Sequence, residues 1–314
     1  MKRFKNILAC VDLDGAAHPA LERAVMLAKL NAGHVKIVAV HEGLPTWASM
    51  LLPSKAQNWE EVVVAEAEKR LEALSAPLAT SGVPVETKLV SGLSYLAIIR
   101  EAIAGKHDLV LKCLELESTL DNPVISSTDM HLLRKCPCPM WLIRPEASAG
   151  ESEAPKPFRR ILAAVDPLPV ESEDSINIKI LEMATSLARL ENCKLFIVRV
   201  YESIGQSLLV ENVSSSEFSE YMEHIQMVRI KNDKEFIGRF AGGQDQFDVR
   251  YLFGTPSTMI ADVARKEEVD LVVMGTIARG GVTGKLMGRT AENVLRQTTC
   301  SVLGVKPADF VCPV

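Results

Sequence analysis

Short apolar runs alternate along the chain with longer stretches of helical periodicity. In the second half, the apolar runs that predict strands lie at 161–165, 195–200, 247–252, 271–274 and 302–306. The stretches between them that predict helices lie at about 175–190, 215–240, 256–266 and 290–297. Strands and helices that alternate in this way are typical of a parallel sheet built from right-handed crossovers.

Two predicted helices carry apolar stripes at the spacing of a core-facing helix. The stripe in the first half comprises Leu21, Ala24, Val25 and Ala28. The stripe in the second half comprises Leu181, Ala184, Leu187 and Ala188. Both sets of side chains are expected to be buried.

The pattern occurs twice because the sequence itself repeats. NILACVD at 6–12 returns as RILAAVD at 160–166, and HLLRKCPCPMWLIRP at 131–145 lies over NVLRQTTCSVLGVKP at 293–307. Such a repeat indicates two copies of one structural unit. The predicted organisation is a domain at 1–146, a linker at 147–157, a domain at 158–308 and a tail at 309–314. The predicted fold class is α/β, with two tandem doubly wound domains of five parallel strands each.

The composition of the chain limits the classes of protein to which it can belong. The chain has 314 residues, of which 47% are hydrophobic and 24% charged, as expected for about two globular domains. A net charge of −5 argues against nucleic acid as a partner. The first apolar run, Ile7 to Val11, is too short for a signal peptide, and no longer run suggests a membrane helix, so we expect a cytoplasmic protein. The seven cysteines fit reduced thiols better than a disulfide framework.

The carboxyl ends of the predicted strands carry the candidate site. In a doubly wound sheet, ligands bind beyond these ends, where the strand order reverses. In the second copy this edge holds Asp166 after the first strand, Val200 near the end of the second, and Met274 and Gly275 after the fourth. We therefore expect a ligand to contact these four residues.

The segment from Gly275 to Thr290 begins at the same edge. It holds five glycines, the three cations Arg279, Lys285 and Arg289, and no acidic residue. Glycines let backbone amides approach an anion, and a helix that starts near Thr290 would direct its positive end towards the same place. The alternative interpretation is a glycine-rich connection that binds nothing.

The first copy differs from the second at this loop. Its aligned segment at 113–128, CLELESTLDNPVISST, has no glycine and three acidic residues. The two loops therefore carry net charges of opposite sign. We expect only the second copy to receive a phosphate group.

The second copy resembles the nucleotide motif of the universal stress proteins. ATP-binding members of that family have a strand that ends in Met-Gly, then G-x-x-G, nine residues, G-[S/T] and a helix. Met274-Gly275 and Gly288 match this motif, while Ala278 replaces its second glycine and Arg289 replaces its closing Ser or Thr. The resemblance covers nearly the whole chain twice. It implies two Rossmann-like domains, of the adenine-nucleotide alpha hydrolase-like kind, that form a pseudo-dimer.

The resemblance also implies a role for each residue of the site. Asp166 and Val200 would frame adenine and ribose, Met274 and Gly275 would border them, and Gly288 with its successors would hold phosphates. ATP, with Mg²⁺ if it is bound, is then the expected cofactor of the second domain. In the first domain Cys113, Leu116 and Ser126 take the places of the motif glycines, so no nucleotide is expected there.

The departures from the motif bear on affinity. If the position of Ala278 requires a positive φ, its methyl group costs roughly 1 kcal/mol, which weakens binding about fivefold. Arg289 cannot replace a small hydroxyl, although it can hold a phosphate electrostatically. Thr290 can supply the hydroxyl or cap the helix.

Three further features have a structural interpretation beside a functional one. Asp12 is expected to bond the backbone amides that follow its strand. Cys136 and Cys138, at the start of a strand, are either half of a metal site or a buried thiol pair, and no metal site is assigned. The apolar segment at 43–59 is expected to bury itself against the other domain or a second subunit, or to line a site for an apolar ligand.

No arrangement typical of catalysis accompanies the loop. The histidines lie mainly in the first half, and no general base or paired carboxylates occur at the phosphate end, so no catalytic residue is assigned. The sequence predicts a cytoplasmic stress-response protein that binds an adenine nucleotide in its C-terminal domain, with a regulatory or structural N-terminal domain. The alternatives are an interaction scaffold for itself or other proteins, independent of nucleotide, and a weak ATPase. Neither nucleic acid nor a membrane is an expected partner.

Overall fold

The computed structural model of the chain describes residues 4–15, 17–43, 53–118, 123–145, 156–167, 176–202, 215–241, 247–277 and 287–314. These residues form two compact units. The first unit extends to Lys156 and includes Phe310–Val314 from the end of the chain, and the second lies between Pro157 and Asp309.

The first unit alternates strands and helices as its sequence pattern predicts. Its main elements are β1 (Asn6–Cys10), α1 (Pro19–Asn31), β2 (His34–His41), α2 (Pro53–Ser75), β3 (Val85–Ser91), α3 (Ser94–Ala104), β4 (Leu109–Cys113), β5 (Leu116–Ser118), β6 (Pro123–Ile125), α4 (Ser127–Lys135) and β7 (Met140–Ile143). A short 3₁₀ helix, Ala76–Thr80, follows α2.

The described residues of the second unit repeat this order apart from β5 and β6. Its elements are β8 (Arg160–Val165), α5 (Ile176–Glu191), β9 (Lys194–Tyr201), α6 (Ser215–Ala241), β10 (Phe247–Phe253), α7 (Pro256–Lys266), β11 (Leu271–Gly275), α8 (Arg289–Gln297) and β12 (Ser301–Val305). Both ends of each of these nine elements lie within one residue of the positions predicted from the sequence. Long apolar runs and strong helical periodicity make such elements recognisable without tertiary information.

Both units contain a parallel sheet whose strand order reverses beside its first strand. The order is β7-β4-β1-β2-β3 in the first unit and β10-β9-β8-β11-β12 in the second. The points of reversal therefore lie between β1 and β4, and between β8 and β11. This confirms the predicted doubly wound α/β fold, and it defines the edge where ligands bind in such sheets.

The helices pack their apolar stripes on these sheets. Both predicted stripes are buried except at Val25, which is only half-buried. Leu27, which is not part of the predicted stripe, is fully buried. The buried positions of α1 follow a spacing of three or four residues through Leu21, Ala24 and Ala28, and Val25 lies at the border of that face.

Helices end at matched positions in the two units. Ala32 after α1 and Asn192 after α5 both have a φ of 51°, and Lys106 and Glu268 after α3 and α7 have φ values of 50° and 44°. A left-handed residue ends a helix because it turns the following amides back towards the last free carbonyls. Asparagine tolerates this conformation better than alanine does.

The segment at 43–59 needs a correction. Pro53 begins α2, which agrees with the preference of proline for the first turn of a helix, so the end of this segment is regular rather than aperiodic. Trp59 is 46% exposed in the single chain, and its burial by a second subunit or an apolar ligand stays a prediction. Residues 44–52, with Trp47 and the adjacent apolar residues, lie outside the described part of the chain.

Replacement of Ala32 by glycine tests the left-handed helix end. Ala32→Gly should raise the free energy of unfolding of the first unit by about 0.5–1 kcal/mol, because it removes a Cβ from a left-handed residue. All three tryptophans lie in the first half of the chain, so denaturant unfolding followed by tryptophan fluorescence reports this unit. The control Ala28→Gly, on the buried face of the same helix, should be destabilising. Destabilisation by both changes would contradict the strain assigned to Ala32.

Candidate functional site

Asp166 lies just beyond β8, beside the point where the strand order reverses. Its backbone N–H donates to Asn177 Oδ1 at 2.9 Å, and its carbonyl accepts from Asn177 Nδ2 at 3.1 Å. Asn177 belongs to α5 and is buried. These two bonds fix the backbone where the strand passes into the helix, and they leave the Asp166 side chain directed towards the solvent-accessible edge, with 56% of it exposed.

Arg199 joins Asp166 to a buried carboxylate. This arginine lies one residue before Val200 in β9, and its guanidinium pairs with Asp166 and donates from Nε to Asp233 Oδ2 at 3.0 Å. Tyr201 also donates its hydroxyl to Asp233 Oδ2, at 2.6 Å. Asp233 comes from α6, so the network ties that helix to the edge of the sheet.

The local environment favours a protonated Tyr201. Burial raises the pKa of its hydroxyl above the usual range, and the hydrogen bond to Asp233 raises it further. The guanidinium of Arg199 also lies 4.5 Å from the centre of the Tyr201 ring. Sequence reasoning missed Arg199 and Asp233, although an arginine inside the apolar strand LFIVRVY was a visible signal.

Met274 and Gly275 end β11 next to Asp166. Both Met274 and Val200 are buried, which leaves mainly their backbone near the edge. A Cβ on Gly275 would lie 2.7 Å from Ile176 Cδ1, the first residue of α5. The absence of a Cβ at Gly275 therefore makes room for the Ile176 side chain of the same domain.

The base of the glycine-rich loop is closed by backbone contacts. Ile277 and Met287 form an antiparallel bridge, and the Gly288 N–H donates to the Thr276 carbonyl at 3.0 Å. The buried Lys306 donates to the Thr276 hydroxyl at 2.5 Å. Ala278 and the rest of the loop interior, to Leu286, lie outside the described residues.

Helix α8 begins at this base without a side-chain cap. Gly288 is its N-cap residue, has extended backbone with φ −66° and ψ 134°, and offers no side-chain acceptor. Arg289 is exposed and Thr290 is half-buried in the first turn. The first amides of a helix lack partners within the helix, so they and the helix dipole favour an anion at this position.

In the first unit the matched position is filled by the protein. The Ser126 hydroxyl accepts from the Asp129 N–H at 3.2 Å and caps α4. The fully buried Asp129 accepts from the Glu115 N–H at 2.8 Å and pairs with Lys112 at 3.0 Å. The second copy has Met274, Ile277, Gly288 and Ala291 at the aligned positions of Lys112, Glu115, Ser126 and Asp129.

Burial and pairing act against each other in this cluster. Burial raises the pKa of Asp129 above its usual range, although Lys112 opposes that shift. Burial alone would lower the pKa of Lys112, but Asp129 and Glu115 outweigh it and raise that pKa. Lys112 therefore stays charged, and the region matched to the phosphate end of the second unit holds an internal ion pair.

The first unit has a cavity at its own carboxyl edge. It encloses about 400 Å³ between the ends of β1 and β2 and helix α2. Its charged lining is Asp12, Asp14, Glu66 and Arg70, and Arg70 pairs with Asp14 and Glu66 at 3.0 Å each. The Asp14 N–H donates to Asp12 Oδ1 at 3.0 Å, which confirms the structural role predicted for Asp12. Three carboxylates against one guanidinium make this edge unfavourable for a phosphate.

The predicted residues of the second unit divide into two groups. The neighbouring strands β9, β8 and β11 bring together the ends that carry Val200, Asp166 and Met274-Gly275. Gly288, and with it Arg289 and Thr290, is tied to the same edge through Thr276. Within the described ranges, no three His, Cys, Asp or Glu side chains are placed to hold a metal ion.

The contribution of the Lys112–Asp129 ion pair to stability can be tested by installing the residues found at the aligned positions of the second copy, methionine and alanine. Lys112→Met should lower the free energy of unfolding by about 3–5 kcal/mol, because it leaves the buried Asp129 carboxylate unpaired. The double change Lys112→Met with Asp129→Ala should recover more than half of that loss. Tryptophan fluorescence during denaturant unfolding gives both values. A double variant as unstable as the single one would contradict the pairing.

The two carboxylates that pair with Arg199 should contribute unequally to the stability of the second unit. Asp233→Asn should destabilise β9 and α6 by about 2 kcal/mol, because the Asp233 side chain is 8% exposed and also accepts from Tyr201. Asp166→Asn should cost less than about 1 kcal/mol, since its side chain is mostly exposed. Hydrogen exchange of peptides that span residues 194–201 measures the difference, and equal effects would disprove this assignment.

The family model for the universal stress protein family matches residues 3–144 and again residues 157–306. Universal stress protein E of Escherichia coli strain K12 is 27% identical over 317 residues, which covers 100% of this chain and 98% of that protein. The universal stress protein E homolog of Haemophilus influenzae is 28% identical over 314 residues and covers 98% of each.

Solved structures show the same fold. A Pseudomonas aeruginosa UCBPP-PA14 structure matches with a TM-score of 0.73 and 23% identity over 98% of this chain and 95% of that one. A universal stress protein from Archaeoglobus fulgidus DSM 4304 matches with a TM-score of 0.61 and 18% identity over 98% of each chain. Helices long and apolar enough to span a membrane do not occur in the described part of the chain. The resemblance noted in the sequence is confirmed, and the chain belongs to the universal stress protein family, with two domains of that family in tandem.

Proposed function

We propose that this chain acts in the cytoplasm as a stress-response protein whose second domain senses an adenine nucleotide. Membership of the universal stress protein family supports the stress-response role. The nucleotide would be ATP, with Mg²⁺ bound through its phosphates. The first domain would stabilise or regulate the second and bind no nucleotide.

The observation that carries the proposal is the difference between the two matched helix starts. Ser126 caps α4 with its own side chain, and the Lys112–Asp129 pair fills the adjoining space. Gly288 offers α8 no such cap, and no carboxylate replaces Asp129, because the aligned residue is Ala291. An anion can therefore take the place in the second domain that internal groups take in the first.

The other residues would act along the rest of the nucleotide. Asp166, beside the reversal of strand order, would accept hydrogen bonds from ribose or base, with the backbone of Val200, Met274 and Gly275 as the floor. Gly288 and Thr290 would present amides and a hydroxyl to the phosphates. Arg289 would contribute charge, since its exposed guanidinium can turn towards a phosphate.

The proposed ligand would have to change two existing contacts. The Asp166 carboxylate already pairs with Arg199, so a ribose would compete with, or share, that guanidinium. Ile176 already occupies the space above Gly275, and its terminal methyl would have to move for a base to lie there. Asp166 is mostly exposed, so its pairing with Arg199 is a weak barrier. Both rearrangements would reduce affinity, and Ala278 would reduce it further if its position requires a positive φ.

The first experiment is a calorimetric titration of the chain, stripped of small molecules, with ATP and magnesium. We expect one site per chain. Gly288→Asp should abolish binding, because the carboxylate would cap α8 and occupy the position of the phosphate. Aspartate is also a favourable N-cap residue, so this variant should remain as stable as the parent. At a hundredfold excess over its Kd, ATP should stabilise the parent by about 2.7 kcal/mol.

The matched control is Ser126→Asp at the N-cap of α4. It places the same charge on the corresponding residue of the first domain and should leave ATP binding unchanged. Two sites per chain, or a site that survives Gly288→Asp, would overturn the asymmetry between the domains. No heat and no thermal shift up to millimolar ATP would favour a scaffold for self-association or protein partners. Phosphate release above background, lost in Gly288→Asp, would favour a weak ATPase.

A further inference from the structure

Cys136 and Cys138 lie together in the turn between α4 and β7. Cys136 is buried at the end of α4, where its N–H donates to the Leu132 carbonyl at 2.9 Å, and Cys138 is half-buried two residues later. Their sulfur atoms are 3.6 Å apart, close enough for one thiol to donate to the other. The strand begins only at Met140, so the pair, predicted at the start of the strand, lies in the turn that leads into it.

The backbone of the turn holds the two thiols in this arrangement. Pro137 and Pro139 fix their own φ angles, and each restricts the cysteine before it to extended backbone. Cys136 accordingly has φ −61° and ψ 131°. Residues two apart in a turn have Cα atoms about 5.5–7 Å apart, a range that overlaps the 4.4–6.8 Å found across disulfides. A rotation of the side chains is thus the main movement needed to join the sulfurs.

The second unit shows what this turn is like without the pair. Thr298 and Cys300 occupy the positions of Cys136 and Cys138. Thr298 is buried, and its hydroxyl donates back to the Val294 carbonyl at 2.9 Å. The fold of the repeat therefore does not require sulfur at the first position, and the two facing thiols are particular to the first unit.

We propose that Cys136 and Cys138 form a reversible dithiol–disulfide couple that exchanges with small disulfides and thiols. The half-buried Cys138 loses its proton and attacks one sulfur of the small disulfide, which releases one small thiol and leaves a mixed disulfide. The buried Cys136 then loses its proton and attacks the Cys138 sulfur, which releases the second small thiol. The two cysteines lose two electrons and two protons, and the small disulfide gains both.

The environment of the two thiols determines how the rate of their exchange depends on pH. The hydrogen bond to Cys136, together with burial, raises the pKa of Cys138 well above its usual value. Because the thiolate is the nucleophile, exchange at neutral pH should be slow, and its rate should increase about tenfold per pH unit beyond pH 9. An unstructured cysteine peptide, with an ordinary pKa near 8.5, levels off in that range.

A third thiol provides the competing outcome. Cys312, near the end of the chain, donates to the carbonyl of Lys135, the residue before Cys136, at 3.2 Å. A disulfide between Cys312 and either member of the pair would therefore be the alternative product. The same position makes Cys312 a suitable control, since its removal should leave the proposed couple intact.

The test is oxidation of the full chain with oxidised glutathione, followed by thiol counting and peptide mass analysis. We expect the loss of two thiols per chain, a peptide with both Cys136 and Cys138 that is lighter by two hydrogen atoms, and full reversal by excess reduced glutathione. Cys312→Ser should behave like the parent. Cys136→Thr, which installs the residue found in the second unit, should stop at a mixed disulfide on Cys138.

Three results would overturn the proposal. The first is a disulfide that contains Cys312 and disappears in Cys312→Ser. The second is the recovery of Cys136 and Cys138 as free thiols, and the third is a stable glutathione adduct on Cys138 in the parent. If Cys136→Thr does not fold, Cys138→Ser at the half-buried position serves instead, and there no oxidised form should accumulate at Cys136. None of these outcomes depends on nucleotide binding.

Discussion

The parallel hydrogen-bond ladder of β8 with β9 and β11 is the constraint on which the second domain depends. Ile161, Leu162 and Ala163 in β8 are completely buried and pair with both neighbours in register. Because parallel strands end at one edge, this ladder delivers the residues after each strand to the same place. Asp166 is placed there by β8 and Gly275 by β11, and no loop has to bring them together.

The two domains show how one fold can be given two electrostatic characters at that edge. In the first, a buried lysine and a buried aspartate satisfy each other and the adjoining backbone, and three carboxylates line the cavity nearby. In the second, methionine and alanine replace the ion pair, and a glycine is the N-cap residue of the helix. The same backbone can accept both sets of residues, because neither leaves a charge buried without a partner.

The edge of the second domain is more self-contained than its motif suggests. Arg199 links Asp166 to a buried carboxylate, and Ile176 lies over Gly275. A motif glycine is usually interpreted as space for a ligand, yet the same absence of a Cβ serves equally for close packing of a side chain. The affinity of the site therefore depends on how readily these internal contacts yield. Within the first domain, the thiol pair precedes β7 and so lies opposite the carboxyl edge of that domain's own sheet.

The sequence by itself determined the duplicated α/β architecture, the strand positions and the identity of the candidate edge residues. Those features follow from local periodicity and from the rule that ligands bind where strand order reverses, and neither needs a long-range contact to be known. Only the tertiary structure decided which polar side chains pair with one another. The pairing of Arg199 with Asp166 and Asp233, the ion pair of Lys112 with Asp129, and the facing thiols of Cys136 and Cys138 depend on side-chain rotamers and on contacts between elements. Periodicity identifies which face of an element is buried, but the side chain that a buried charge meets is decided only when the elements pack.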